Sequence, residues 1–232
     1  MSRGLGGNAD GTLAAGQRAL RGLYAITPDW QDTRRLCDAV GEAILGGAAA
    51  IQYRNKKAPP ELAWRQAEAL ANLCKPAGIP LIINDDAELA IALRADGVHL
   101  GMADAALSQI GTVKARLEQA GSAAIVGISC YSELARARAA ETAGADYVAF
   151  GSFFASLTKP AASRASVDLL NRARAALQVP LVAIGGITTV NASCLIEAGA
   201  DAIAVISDLF ERADIRRQAQ LFKEMFNEVV QQ

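Results

Sequence analysis

The sequence predicts an α/β fold, a single (β/α)8 barrel of the TIM-barrel class, and three observations carry that prediction. Short apolar runs recur eight times along the 232 residues, with helical spacing of apolar residues between them. Four junctions into a strand are written in similar words: Gly46-Gly47-Ala48-Ala49, Ala95-Asp96-Gly97, Ala143-Gly144-Ala145-Asp146 and Ala198-Gly199-Ala200-Asp201. Asp96, Asp146 and Asp201 stand at intervals of 50 and 55 residues, each holding two strand-helix units, so the repeat is βαβα. Finally, the first strand runs into Thr27-Pro28-Asp29, without the GxGxxG turn usual in an open nucleotide-binding sheet. That absence favours the closed barrel over a doubly wound sheet.

The first strand is expected at 23–27, and the helix after it shows Leu36, Val40 and Ile44 at i, i+4 and i+8. The second is expected at 49–53, followed by a helix with Leu62, Leu70 and Leu73 on one face. The third and fourth are read at 81–84, behind Pro80, and at 97–100. A fifth at 124–129 leads to an alanine-rich helix through Leu134, Ala137 and Glu141-Thr142-Ala143. The last three are expected at 147–151, 181–185 (behind Pro180) and 202–206. Glycine after the last helical turn suits the left-handed position that closes an α-helix.

Composition bounds the rest. Hydrophobic residues make up 52% of the chain, enough for a full core, and aromatics only 5%. With 23 basic against 24 acidic residues the net charge is −1, which lacks the basic excess of a dedicated nucleic-acid binder. Cys37, Cys74, Cys130 and Cys194 have neither zinc-finger nor redox spacing, so a reduced, cytoplasmic chain is expected. No apolar run reaches the roughly 18 residues of a membrane span. Residues 1–20 are Gly-rich and polar-interrupted, unlike a secretory signal, and read as a flexible leader; 21–232 reads as one catalytic domain with no linker inside it.

In such barrels the chemistry sits at the C-terminal strand ends. Those ends read Gln52-Tyr53-Arg54-Asn55-Lys56-Lys57, Asn84-Asp85-Asp86, His99-Leu100-Gly101-Met102-Ala103-Asp104, Gly127-Ile128-Ser129-Cys130, a long segment from Gly151 to Lys159, Gly185-Gly186-Ile187-Thr188 and Ile206-Ser207-Asp208. Arg54, Lys56 and Lys159 would bring three cations to one mouth, with Arg as a fork and Lys as a point charge for phosphate oxygens. Asp85 and Asp104 beside them make sense if a hard Mg²⁺ joins carboxylate to substrate phosphate. Gly185-Gly186 and Ile206-Ser207 stand where barrels commonly seat a phosphate group, with Ser156 and Thr158 as further hydroxyl donors. Taken one at a time, each of these residues is also an ordinary ion pair or turn residue; the set, gathered at one end, points to function.

The single histidine, His99, lies inside a strand on the face of Gly97 and Gly101, which fits a packed, hydrogen-bonded role. A Ser-His-Asp triad, a Cys-His pair at Cys130 and a multi-histidine zinc site therefore lack support. Cys130 reads equally as a small packing residue. Trp30 and Trp64 stand apart and form no stacking platform.

The strand-end words resemble those of the thiamine phosphate synthase family, which reads Q-x-R-x-K, N-D, H-L-G-x-x-D, G-x-S, T/S-x-T-K, G-G-I and V-I-S or V-V-S. Here they stand as Gln52 to Lys56, Asn84-Asp85, His99 to Asp104, Gly127 to Ser129, Ser156 to Lys159, Gly185 to Ile187 and Val205 to Ser207, in order over about 22–225. The resemblance implies a transferase that joins 4-amino-2-methyl-5-(diphosphooxymethyl)pyrimidine to 4-methyl-5-(2-phosphoethyl)thiazole and releases diphosphate. It implies that Gln52, Tyr53, Arg54, Asn55, Lys56, Asn84, Ser129 and Lys159 contact the pyrimidine diphosphate, with Arg54, Ser129 and Lys159 the catalytic group. It further implies Mg²⁺ on Asp85 and Asp104, and the thiazole phosphate on Ser156, Leu157, Thr158, Gly186, Ile206 and Ser207. The partners are then these two small molecules, with neither nucleic acid nor membrane.

The sequence departs from the family at Met102, where Gln or Glu is common, at Ala155, where Pro is common, and at Ser156, where Thr is usual. Serine keeps the hydroxyl, loss of proline frees φ in the strand 6 loop, and Met102 removes a polar group from the mouth. Asn55 and Asp86 also differ from the commonest residues. Three other readings stand beside the synthase: the related thiazole tautomerase, an isomerase whose histidine after the strand 6 glycine is here Ser152; a catalytically silent ligand-binding paralogue; and another phosphate-binding barrel isomerase.

Overall fold

Strand β1 (Gly22–Ile26) pairs in parallel with β2 (Ala50–Tyr53) on one side and with β8 (Ala202–Val205) on the other, and the second pairing closes the sheet. The structure is a computed structural model that describes residues 20–101, 107–121, 124–155 and 165–230. Between β2 and β8 the strands follow in chain order: β3 (Leu81–Asn84), β4 (Gly97–Leu100), β5 (Ile125–Tyr131), β6 (Tyr147–Phe150) and β7 (Leu181–Ile184), all parallel neighbours. The predicted closed (β/α)8 barrel is the observed one, and each strand overlaps its expected position. Helices α1 (Thr33–Leu45), α2 (Pro60–Ala77), α3 (Ala87–Leu93), α4 (Gln109–Gln119), α5 (Leu134–Thr142), α6 (Val167–Ala176) and α7 (Ser193–Glu197) fill the connections. After β8 the chain makes a short α8 (Ser207–Phe210) before α9 (Ile215–Val230), an extra helix that the eightfold pattern did not contain.

The repeated junction words have a physical purpose. Gly47, Gly144 and Gly199 take φ of 98°, 95° and 99°, and Arg94 holds the equivalent place at 50°. Asp96, Asp146 and Asp201 then accept the backbone N–H of Leu81, Val126 and Leu181 at 2.9, 2.8 and 2.7 Å. Each aspartate at the start of one strand thus ties down the start of the strand before it. These ties lie at the N-terminal end of the barrel, the end that serves stability.

Strand residues alternate between two cores. Outward side chains such as Leu23, Ile51, Ile83, Val126 and Ile203 pack with the helices, including Leu36 and Val40 of α1 and Leu70 of α2. Inward ones form a second cluster, Tyr24, Ile26, Ile82, Tyr147 and Val182 among Ala50, Ala149, Ala202 and Ala204. Small residues on most strands leave the interior room for two tyrosine rings. Leu20 is buried in this inner cluster too, although the sequence places it in the leader; the leader's other residues, 1–19, lie outside the described residues.

Candidate active site

The C-terminal strand ends open into one cavity of about 580 Å³. Alternation along β2 decides which residues reach it. Gln52, Arg54 and Lys56 line the cavity, whereas Tyr53 and Asn55 turn outward, where both bond Gln66 Oε1 of α2 at 3.0 Å. Asn84, Asp85, Ser129, Gly186, Ile206 and Ser207 line the same space. Nine of the residues named from sequence are therefore brought together, and Tyr53 and Asn55 are not. Asp104, Ser156, Leu157, Thr158 and Lys159, with Met102, lie outside the described residues.

On the β1 to β3 side the polar groups hold one another in place. Asp29 Oδ1 accepts from Arg54 Nη1 and from the Lys56 backbone N–H, each at 3.1 Å. Thr27 Oγ1 accepts the Arg54 N–H at 2.8 Å and donates to the Arg54 carbonyl at 3.0 Å, fixing the base of the arginine. Asp85 sits at φ 64°, a left-handed conformation in which Asp is one of the better tolerated residues. Its Oδ1 accepts the Gly101 N–H at 2.9 Å, and its Oδ2 takes Asn84 Nδ2 at 2.7 Å and Lys56 Nζ at 2.9 Å. A hard carboxylate held rigid beside cations fits the oxygen ligation of Mg²⁺, which takes one or two carboxylates and completes its shell with substrate and water.

The floor is a buried polar chain. Gln52 Nε2 donates to Tyr24 Oη at 2.7 Å, Tyr24 Oη lies 3.0 Å from Tyr147 Oη, and His99 bridges Tyr147 Oη and Ser129 Oγ at 2.9 Å each. Burial pushes the His99 imidazole down to about 4 and raises both tyrosine hydroxyls, so all three are neutral at pH 7. His99 has the hydrogen-bonded role its strand position predicts, and it also faces the cavity.

Across the mouth, Gly185 and Gly186 take φ of 104° and 65°, and a Cβ on Gly186 would run into the Ala155 carbonyl. Only glycine fits this close approach to the β6 loop. Asp208 is buried and ties the glycine loop to α8: its Oδ2 accepts the Thr189 N–H at 3.0 Å and Gln218 Nε2 at 2.7 Å, while Oδ1 pairs with Arg212. Asp208 and Asp29 stand at strand ends in the sequence without a role assigned to them, and Tyr24 and Tyr147 escape a reading confined to those ends. The period-two alternation of β1 and β6 is the signal that could have found the two tyrosines.

The sequence matches the profile of the thiamine monophosphate synthase family over residues 23–209. The chain belongs to the thiamine monophosphate synthase family. Among relatives in this family, the thiamine-phosphate synthase of Methylobacillus flagellatus is 53% identical over 209 residues, 90% of this chain and 96% of that one. That of Thiobacillus denitrificans is 51% identical over 205 residues, 88% and 94% of the two chains. The solved thiamine phosphate pyrophosphorylase of Pyrococcus furiosus superposes with a TM-score of 0.78 at 34% identity, covering 91% of this chain and 97% of that one. The chain is thus an enzyme of the thiamine monophosphate synthase family. Among the described residues, no helix is long and apolar enough to cross a membrane.

Proposed function

We propose that the chain condenses 4-amino-2-methyl-5-(diphosphooxymethyl)pyrimidine with 4-methyl-5-(2-phosphoethyl)thiazole, giving thiamine phosphate and diphosphate. The observation that carries this reading is the meeting of two anion-seeking sets across one cavity. Arg54, Lys56, Asn84 and Ser129 occupy one side, and the Gly185-Gly186 turn with Ser207 the other. Two phosphorylated small molecules held by such sets would meet over the hydrogen-bonded floor between them.

In the reaction the bond from the pyrimidine methylene carbon to oxygen breaks, and its electron pair leaves on diphosphate. Arg54 and Lys56 meet that growing charge from fixed positions, the preorganised electrostatic help that usually dominates such catalysis. The electron-rich aminopyrimidine carries the resulting cation, and the thiazole nitrogen closes the new C–N bond with its own lone pair. No proton has to be removed from the nucleophile, which agrees with a cavity whose one imidazole is neutral and already bonded at both nitrogens. Holding the thiazole by its phosphate fixes its nitrogen over the carbon, a positioning effect. Asp85, with Asp104, would hold Mg²⁺, which when bound neutralises diphosphate charge. Lys159 would join Arg54 and Lys56, and Ser156, Leu157 and Thr158 the thiazole phosphate, by the family resemblance. Four free cysteines suit a reduced cytoplasmic setting.

The test is a coupling assay with purified protein, both substrates and Mg²⁺. Thiamine phosphate and diphosphate should appear in equal amounts. Isomerisation of the thiazole without any pyrimidine, or no turnover with either, would overturn the reading.

A further inference from the structure

The chain of side chains on the cavity floor crosses five strands, linking Gln52 of β2, Tyr24 of β1, Tyr147 of β6, His99 of β4 and Ser129 of β5. Its four hydrogen bonds have a direction that can be worked out by placing each hydrogen in turn. Gln52 donates through Nε2, so Tyr24 Oη is an acceptor at that contact and must place its own hydrogen elsewhere. Its remaining partner among the described residues is Tyr147 Oη at 3.0 Å. Tyr147, accepting from Tyr24, donates to His99 Nδ1. A neutral imidazole carries one N–H, so the hydrogen is then on Nε2 and is donated to Ser129 Oγ. Ser129 accepts there and keeps its own hydroxyl hydrogen free on the cavity side.

The opposite order would have Ser129 donate to His99, His99 to Tyr147 and Tyr147 to Tyr24. Tyr24 Oη would then accept from both neighbours, and its buried hydrogen would have no acceptor among the described residues. A fully satisfied buried network is strongly preferred over one with an orphaned donor. The surroundings hold the Ser129 half of the chain still. Arg136 Nε donates to the Ser129 carbonyl at 3.0 Å, and Gly127 leaves the space into which the Tyr147 ring fits. The His99 ring stacks on Tyr147 at a centroid distance of 5.6 Å.

We infer that Gln52, Tyr24, Tyr147 and His99 form a one-way hydrogen-bond relay that fixes the Nε2–H tautomer of His99 and presents the Ser129 hydroxyl as a donor to an anionic oxygen in the cavity. Tyr24, Tyr147 and His99 are thereby positioning residues for Ser129. The inference rests on the proposed reading only in naming that oxygen as one of the diphosphate. The relay also sets a polarity across the site. With Gln52 donating inward, its amide oxygen is left to accept, while Ser129 donates. A ligand with an amine at the Gln52 end and an anion at the Ser129 end matches both, and an aminopyrimidine diphosphate has that pattern.

His99 is the single histidine of the chain, so nitrogen NMR of ¹⁵N-histidine-labelled protein reads its tautomer without assignment. At neutral pH the ligand-free wild type should show a protonated Nε2 and an unprotonated Nδ1. Tyr24→Phe and Tyr147→Phe keep the rings but remove hydroxyls, so each should populate both tautomers. In the coupling assay kcat should fall about tenfold, the weight of one hydrogen bond, with KM for the thiazole phosphate unchanged. Inorganic diphosphate should shift the Nε2 signal of the wild type and do so more weakly in Tyr147→Phe. A protonated Nδ1 in the wild type overturns the relay whether or not the variants fold, as does a Tyr24→Phe protein that keeps pure Nε2–H. Failure of the coupling assay alongside the expected tautomers and diphosphate response removes the reaction reading and leaves the relay standing.

Discussion

Gly127 of β5 lies directly under the Tyr147 ring of β6: a Cβ at residue 127 would overlap the ring carbons of Tyr147. The glycine is required here by space, since both neighbours are regular strand residues. Gly127→Ala should therefore push the ring or the strand, at about 2 kcal/mol for a methyl forced into a packed core. Thermal melting should fall by roughly 4–8 °C for a domain of this size. An unchanged melting temperature would show that the ring has room to move.

Asp201 makes the complementary case at the other end of the barrel. It accepts the Leu181 N–H at 2.7 Å and Arg174 Nη1 at 2.8 Å, far from the cavity. Asp201→Ala leaves a strand N–H and a guanidinium without their acceptor and should lower stability by about 2 kcal/mol. Melting should shift while kcat/KM in the coupling assay stays at the wild-type value. A fall in kcat/KM with unchanged melting would contradict a purely structural role.

The two ends of the barrel differed in how openly the sequence displayed them. The aspartate junctions announced both the repeat and the closed sheet, because a helix closure and a strand tie need the same residues each time they occur. The mouth was legible for Arg54, Asp85 and Ser129, since strand alternation and polar strand ends coincide there. Tyr53 and Asn55 were drawn in by the contiguous word around Arg54, yet a strand turns every second residue outward, and Gln66 of α2 captures both. Tyr24 and Tyr147 read as ordinary apolar strand residues; their joint role depends on closure bringing β1 and β6 face to face across the interior. Asp208 was visible at its strand end but its role was not, because its partners Thr189 and Gln218 come from the β7 loop and α9, which only the fold brings to it.

The depressed imidazole makes stability pH-dependent. His99 in the folded state titrates at about 4, below its ordinary 6.5, through burial first, with Asp85 opposing and Lys56 adding. The unfolded chain therefore binds a proton that the native state refuses between those values. Stability from this residue is complete above pH 6.5 and drains away as pH falls towards 4, by about 3 kcal/mol in all. His99→Gln, compared with the wild type in denaturant titrations from pH 7 to 4, should lack that component of the acid slope. Parallel slopes for the two proteins would mean that the native imidazole is free to protonate.

Two buried or half-buried carboxylates supporting opposite sides of the cavity allow a crossed prediction. Asp29 fixes Arg54 and the Lys56 backbone, the side proposed for the pyrimidine diphosphate. Asp208 fixes the loop of Gly186 and Thr188 against α8, the side proposed for the thiazole phosphate. Neither carboxylate needs to touch substrate for its loss to matter, because misplacing a binding group by a fraction of an ångström weakens the whole contact. Asp29→Ala should raise KM for the pyrimidine substrate about tenfold, equivalent to about 1.4 kcal/mol, with little change for the thiazole. Asp208→Ala should do the reverse, with some loss of stability because the Thr189 N–H and the Gln218 amide lose their acceptor. Measuring both KM values for both variants gives four numbers whose pattern is diagnostic. Equal rises for both substrates in either variant would mean that the cavity responds as one body and that the two-sided assignment is wrong.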